Sequence, residues 1–319
     1  MRTAGLVLLV LILGAALGLA QRRSRWGWAG GGDTGYMYTE EGVPVNVDKV
    51  RTAREIASHS TGTPEWTNQT GFEKDVFTFA RVIYRRAPNN SGISYSSSPI
   101  GWLTDFPDSD LNLSFRVQQV TSIRTDPDGR VIRLTDPALF DFPWIYMVEP
   151  GGLEFKEEEV PVLRKYLENG GVLMADDFWG QKQWDNFQRN IKRVLPEREF
   201  IELPMTNPIF HCVFDINVPK NKLQTPNYRQ GIRSLDPNDR AYGVTWEGYH
   251  DDYVENGAHD MHVRAILDDK GQIMVIATHN CDNGDGWERE GEEDGFFHEF
   301  SEKRAYPLAI NILFYLMTH

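Results

Sequence analysis

Three observations in the sequence predict an α/β fold with a mostly parallel central sheet. The stretch Gly170-Gly171-Val172-Leu173-Met174-Ala175-Asp176-Asp177-Phe178-Trp179-Gly180 opens on a short apolar run, Val172 to Ala175, too brief for a helix and suited to a buried strand. Helical patterns flank it. Phe155 to Asn169 spaces Val160, Leu163, Tyr166 and Leu167 along one face, and Gln181 to Leu195 does the same with Trp184, Phe187, Ile191 and Val194. A second buried run, Trp144 to Val148, leads through Gly151-Gly152 into the first of these helices, so strands and helices alternate as a parallel sheet requires. Ligands of such sheets bind beyond the carboxyl ends of the strands, where Asp176, Asp177 and Trp179 stand.

The chain has 319 residues and a net charge of -13, which suits one large or two small domains and argues against a nucleic-acid partner. Cys212 and Cys281 lie in no metal-type CxxC pair, and sequence leaves their pairing open. Arg2 precedes an uncharged apolar run from Ala4 to Ala20 that ends Gly18-Leu19-Ala20. The expectation is a signal peptide over residues 1–20, cleaved before Gln21, and a periplasmic or secreted protein. The alternative is an uncleaved inner-membrane anchor over residues 4–20. Arg22, Arg23 and Arg25 weigh toward it, and it is the only membrane contact expected.

Residues 21–71 read as a flexible tether, Gly- and Arg-rich to Gly35, with a short helix over Val47 to Ser58. The domain proper is assigned to 72–319. Val76 to Tyr84 alternates as its first strand, and Pro88 to Pro99 is a Ser/Asn-rich loop. Asp108 or Asp110 is placed to cap a helix bearing Leu113, Val117 and Val120. Val131 to Leu134 and Glu199 to Leu203 are further strands. Asn207-Pro208-Ile209-Phe210-His211 is a turn, and Asn217 to Arg240 is a polar surface excursion. Tyr242 to Tyr249, Val263 to Leu267 and Ile273 to Thr278 are strand candidates, the last two joined by a turn at Asp268-Asp269-Lys270-Gly271. Asn280 to Glu288 reads as a polar loop, Glu290 to Asp294 as a solvated acidic run, and Lys303 to Met317 as a closing apolar helix.

Three stretches combine carboxylates with tryptophan: Trp102 with Asp105, Asp108 and Asp110; Trp179 with Asp176 and Asp177; Trp287 with Asp282, Asp285 and Glu288. Carboxylates accept paired hydrogen bonds from sugar hydroxyls while an indole face covers the ring. The same carboxylates, with Asn112 or Asn280, are ligands for a divalent cation such as calcium, although Asp108-x-Asp110-x-Asn112 lacks the glycine and distal Glu of a calcium loop. Against this stand ordinary structural roles: Asp177 as a cap for the following helix, Trp102 and Trp179 as core, His211 and His279 as satisfied polar residues. There is no GxSxG or GxCxG elbow and no Walker loop, and no cofactor is identified.

The Gly170–Gly180 run, the Pro208-Ile209-Phe210-His211 turn, Asn280-Cys281-Asp282-Asn283-Gly284-Asp285-Gly286-Trp287-Glu288 and the terminal Met317-Thr318-His319 resemble the bacterial domain-of-unknown-function family numbered 4159. Phe77 to Tyr84 and Gly101-Trp102 through Asn112 are similar to its opening segment. The resemblance implies a flavodoxin-like three-layer sandwich, akin to class I glutamine amidotransferases and trehalose-utilisation-type proteins. Asn207 stands where the latter carry a histidine. Asp176 and Asp177 stand where the former carry a cysteine nucleophile, so glutaminase activity is not expected.

The functional expectation is a cell-envelope binding or regulatory module, its acidic, Trp-lined cleft holding a carbohydrate, another small polar ligand or an envelope protein. The alternative is a hydrolase of a polar envelope substrate, metal-assisted or not, with Asp176 or Asp177 as acid, base or ligand.

Overall fold

A computed structural model describes residues 35–72, 75–87, 101–247 and 257–319. The export segment, the tether up to residue 34 and the loop at 88–99 lie outside these residues, as does the far end of the 242–249 strand candidate.

Seven strands form one sheet: β1 (Ala80–Ile83), β2 (Arg130–Arg133), β3 (Trp144–Val148), β4 (Val172–Asp176), β5 (Ile201–Glu202), β6 (His262–Leu267) and β7 (Ile273–His279). Their spatial order is β2-β1-β3-β4-β7-β6-β5. The first five are parallel, with Val148 opposite Asp176 and Asp176 opposite Thr278, while β6, near one edge, runs antiparallel to both its neighbours, β7 and β5. That is the flavodoxin-like 2-1-3-4-5 parallel order, with β7 in the fifth place and an antiparallel pair added.

The principal helices are α1 (Asp108–Val120), α2 (Glu159–Glu168), α3 (Gly180–Val194), α4 (Tyr228–Leu235), α5 (Asn283–Glu288) and α6 (Tyr306–Thr318). Side-chain alternation along the strands sorts the core into two layers. Ile145, Met147, Leu173, Ala175, Val275 and Ala277 pack with Leu163 and Leu167 of α2 and Phe187 and Ile191 of α3. Trp144, Tyr146, Met174 and Ile276 pack on the other face with Leu113 and Val117 of α1 and Leu308 and Ile312 of α6. Each Val, Leu, Ile, Phe or Met side chain among these, fully buried, stabilises the fold by about 1.5–3 kcal/mol. The result is the expected three-layer sandwich. Among the described residues no helix is long and apolar enough to cross a membrane.

Several expectations are corrected. Val47 to Ser58 makes only a 3-10 turn, Ala53–Glu55. Val45, Val50 and Ala53 are buried in the core, and Ala53 N donates to Asp128 O (2.9 Å), so this part of the expected tether is packed structure. The first strand starts only at Ala80, Phe77 reaching Thr125 through one isolated bridge. The polar excursion contains α4, whose first turn is capped by Asn227 Oδ1 accepting from Gln230 N (2.9 Å). Residues 242–247 form no strand, since Tyr242 N closes a turn onto Asp239 O and Gly243 follows at φ +76°. Asn280 to Glu288 is mainly helix, not loop. Neither Asp108 nor Asp110 caps α1. Pro107 holds the cap position and both aspartates lie in the first turn.

Candidate functional site

Three neighbouring strands end alike. Glu149 follows β3 at φ 49°, Asp177 follows β4 at φ 54°, and Asn280 follows β7 at φ 61°. Asn and Asp tolerate this left-handed backbone, while Glu149 bears a cost of roughly 1–2 kcal/mol. The backbone ladder continues through them: Glu149 N donates to Asp176 O (3.0 Å), Asp177 N to Cys281 O (3.0 Å) and Asn280 N to Phe178 O (2.9 Å). Asp105, in the segment after β1, is also left-handed, at φ 62°.

Asp176 is fully committed. Its Oδ1 accepts from Thr278 Oγ1 (2.6 Å) and Asn283 Nδ2 (2.8 Å), and its Oδ2 from the amides of Asn283 (3.0 Å) and Gly284 (3.2 Å) and from the Tyr146 hydroxyl (3.2 Å). It fastens the start of α5 to the central strand. Burial outweighs these hydrogen bonds and pushes its carboxyl up to about 6.

Asp177 points elsewhere, and it does not cap α3. Its Oδ1 accepts from Trp179 Nε1 (2.8 Å), while Trp179 itself is the cap residue, its amide donating to Gln183 Oε1 (2.9 Å). Asn280 Oδ1 takes the Gly180 amide (2.7 Å) that an Asp177 cap would have taken.

Helix α5 brings the remaining carboxylates. Asp282 caps it through Asp285 N (2.8 Å), and Asp285 and Glu288 follow on the helix. Two triads result, each with one oxygen per residue mutually within 4.8 Å: Asp105 with Asp285 and Glu288, and Asp177 with Glu247 and Asp282. Among the described residues no Lys, Arg or His forms an ion pair with Asp105, Asp177, Glu247 or Asp282. Arg81 is spent on Asp110, donating Nε to both its oxygens (3.0 Å each) and Nη1 to Trp102 O and Thr104 O. Arg289 serves the outer side, with Nε 2.6 Å from Glu288 Oε2 and 3.4 Å from Asp285 Oδ1.

The electrostatics follow. Burial, then the nearby Asp285, hold the Asp105 carboxyl well above its usual range. Burial and then Glu247 do the same for Asp177, burial and Asp177 for Asp282, and burial and Asp105 for Glu288. Glu247 is pushed up to about 8 by burial and Asp285, and Glu149 to about 8 by burial against the opposing pull of Arg86. Asp105 Oδ2 is buried and accepts no hydrogen bond. Excess negative charge in so little solvent demands protons or a bound cation.

Of the residues singled out in the sequence, Asp105, Asp177, Asp282, Asp285 and Glu288 come together here. Asp108 instead accepts from Ser58 Oγ and the His59 amide, and Asn112 Nδ2 donates to Trp287 O (2.8 Å), so the partial calcium-loop spacing is not a ligand set. Asn280 is structural, its Nδ2 donating to Gly257 O and Asp260 O. Trp102, Trp179 and Trp287 are buried to 3 % exposure or less, so no indole face is presented to a sugar ring. His211 sits in a surface turn, held by Asp215 Oδ1 (2.6 Å) and Met205 O (2.7 Å). His279 is buried and held neutral: its Nε2 donates to Gly180 O, while burial and then Arg264 push its pKa well down. Both cysteines are free thiols.

Sequence reasoning missed Glu149, Glu247, Glu41, His59 and Arg289. Glu149 had a readable signal, a carboxylate directly after a confident strand. His59 and Glu247 had none, lying in segments read as tether and strand.

The fold and site define an α/β protein with a polyacidic centre at the carboxyl edge of a mostly parallel sheet. The chain belongs to the family described as Domain of unknown function (DUF4159), whose model matches residues 78–317. No curated protein matches it.

Proposed function

We propose that this chain is a binding module whose strand-end site takes a hard divalent cation such as calcium, magnesium or manganese. One observation carries the reading: Asp177, Glu247 and Asp282 lie within 4.8 Å of one another with no cationic partner among the described residues. An all-oxygen carboxylate set is what hard cations bind, and a divalent ion cancels the repulsion that otherwise forces protonation. The unpaired Asp105 Oδ2 adds an acceptor from the adjoining triad. Together with the apolar run at residues 4–20, this supports an exported envelope module that presents the held cation to a polar ligand or protein partner.

A metal-assisted hydrolase is the second reading. Glu149 and Glu247, each pushed to about 8, hold protons at neutral pH and are candidate general acids. A bound cation would there supply an activated water. The resemblance to class I glutamine amidotransferases expected from the sequence would lend this reading a site location and not a chemistry, since Asp176 and Asp177 would stand in place of their cysteine.

Thermal denaturation of EDTA-treated protein tests the binding reading. A ligand at 100 times its Kd adds about 2.7 kcal/mol of stability. Calcium, magnesium or manganese should raise Tm in the wild type and not in Asp282→Asn; no response to any of the three rejects the reading.

A further inference from the structure

We propose that residues 57–65 form a strap that closes the solvent side of the Asp105, Asp285 and Glu288 triad and lifts to admit its ligand. The inference rests on the cation-binding reading only for the identity of what passes beneath the strap.

The strap hangs between two fixed ends. Before it, Val50 and Ala53 are buried in the core, and the amides of Ala53 (2.9 Å) and Arg54 (3.3 Å) donate to Asp128 O. After it, Trp66 Nε1 (3.0 Å) and Asn68 Nδ2 (2.9 Å) donate to Thr125 O. From 57 to 65 the chain forms no helix or strand and, among the described residues, no backbone–backbone hydrogen bond. Gly62 takes φ +100°, a conformation that glycine holds without strain. Among the described residues, no heavy atom beyond its chain neighbours comes within 4 Å of a Cβ placed there. A span with fixed ends and an unpacked glycine can move without disturbing the core.

What fastens the strap is a few polar contacts, and they converge on the site. Ser58 Oγ and the His59 amide (3.2 Å) donate to Asp108. His59 Nε2 lies 3.2 Å from Phe106 O and 3.2 Å from Glu288 Oε1, and Glu41 Oε2 stands 3.2 Å from Nδ1. Thr61 Oγ1 donates to Glu290 O (2.6 Å). Arg54, at the first end, steadies the far end through Thr63 Oγ1 (3.0 Å) and Pro64 O (2.9 Å). Phe106 and Asp108 closely follow Asp105, and Glu288 and Glu290 lie at the end of the helix that carries Asp285. The strap thus spans the two segments that supply the triad. With it closed, the side chains of His59 and Glu288 are 3 % and 1 % exposed. Hydrogen bonds add little net stability one by one, whereas the ends are held by core burial, so the strap opens well before the domain unfolds. This also gives Asp108 a part: it is the docking carboxylate of the strap, not a ligand.

The test is carbodiimide labelling of carboxyl groups in the EDTA-treated full chain, read by peptide mass spectrometry, in the wild type and in the double variant Ser58→Ala, Thr61→Val. Residue 58 is half-buried and residue 61 exposed, and neither belongs to a triad. Each substitution removes one fastening hydrogen bond, so Glu288 should label at least about tenfold faster. Asp110, fully buried on Arg81, reports global unfolding and should label at an unchanged rate. Glu288 labelling that is unchanged in the variant, or that rises only in step with Asp110, overturns the proposal. Tm with calcium, magnesium and manganese is measured on the same samples. Faster Glu288 labelling in a protein whose Tm answers to none of the three upholds the strap and rejects the cation reading. A Tm response without faster labelling does the reverse.

Discussion

Asp105 and Gly284 are fitted to one another: a Cβ on residue 284 would stand 2.0 Å from Asp105 Oδ2. The glycine leaves room for the unpaired carboxylate oxygen, and its amide is bound by Asp176. Gly284→Ala therefore separates stability from binding. Alanine favours a helix by about 0.5–1 kcal/mol over glycine, offsetting part of the strain. The Asp105 carboxylate must swing away, so cation affinity measured by calorimetry should fall at least about tenfold. Unchanged affinity would remove Asp105 from the site.

Asp282→Asn should stabilise the cation-free protein. The amide oxygen can still accept from Asp285 N and keep the cap, while one of three crowded acidic groups disappears. A gain on the order of 1 kcal/mol in urea denaturation is expected, together with loss of the calcium response. A marked loss of stability without cation would show that the triad is not under charge strain.

Cation-free stability should depend on pH in an unusual direction. Asp176 titrates near 6 and Glu149 and Glu247 near 8 in the folded chain, against ordinary values of 3.8 and 4.5. Across that window the folded state binds more protons than the unfolded one, so stability falls as pH rises from about 4.5 to 8. Glu202 works oppositely. Half-burial opposes its ionisation, but His262 and Lys220 hold it at about 2, so its contribution is lost as pH falls from 4.5 toward 2. Tm scans with EDTA should peak near pH 4–5, and saturating calcium should flatten the alkaline side. A Tm that climbs from pH 5 to 8 without cation contradicts the assignment.

The Arg81–Asp110 pair is a structural requirement of the site. Both side chains are fully buried, and Arg81 also holds the carbonyls of Trp102 and Thr104 that precede Asp105. Asp110→Asn leaves a guanidinium without its counter-charge and should cost about 3–5 kcal/mol. Urea denaturation reads this directly; a loss below 1 kcal/mol would mean the arginine is hydrated.

The sheet was legible in the sequence because its central strands are continuous apolar runs: Trp144–Val148 appears at the expected bounds, and Val172–Asp176 is one residue longer. Helix α5 was not. Asn283-Gly284-Asp285-Gly286-Trp287-Glu288 has little helix propensity, and its first amides are held by a carboxylate more than 100 residues earlier, Asp176. Carboxylates on α5 and after β4 could be nominated from residue type and position. That Asp176 and Asp177 face different ways, one tied to a helix and one to the triad, depends on a left-handed turn that residue type alone does not dictate.

Those left-handed residues at the ends of β3, β4 and β7 turn the sheet into a ruler. Neighbouring strands stand about 4.8 Å apart, so Glu149, Asp177 and Asn280 leave the edge at intervals fixed by backbone hydrogen bonds rather than by side-chain packing. A ligand that needed these groups closer together would have to bend the sheet. The separation of the three strand ends is thus a property of strand spacing, and substitutions in the helices that cover the sheet should leave it intact.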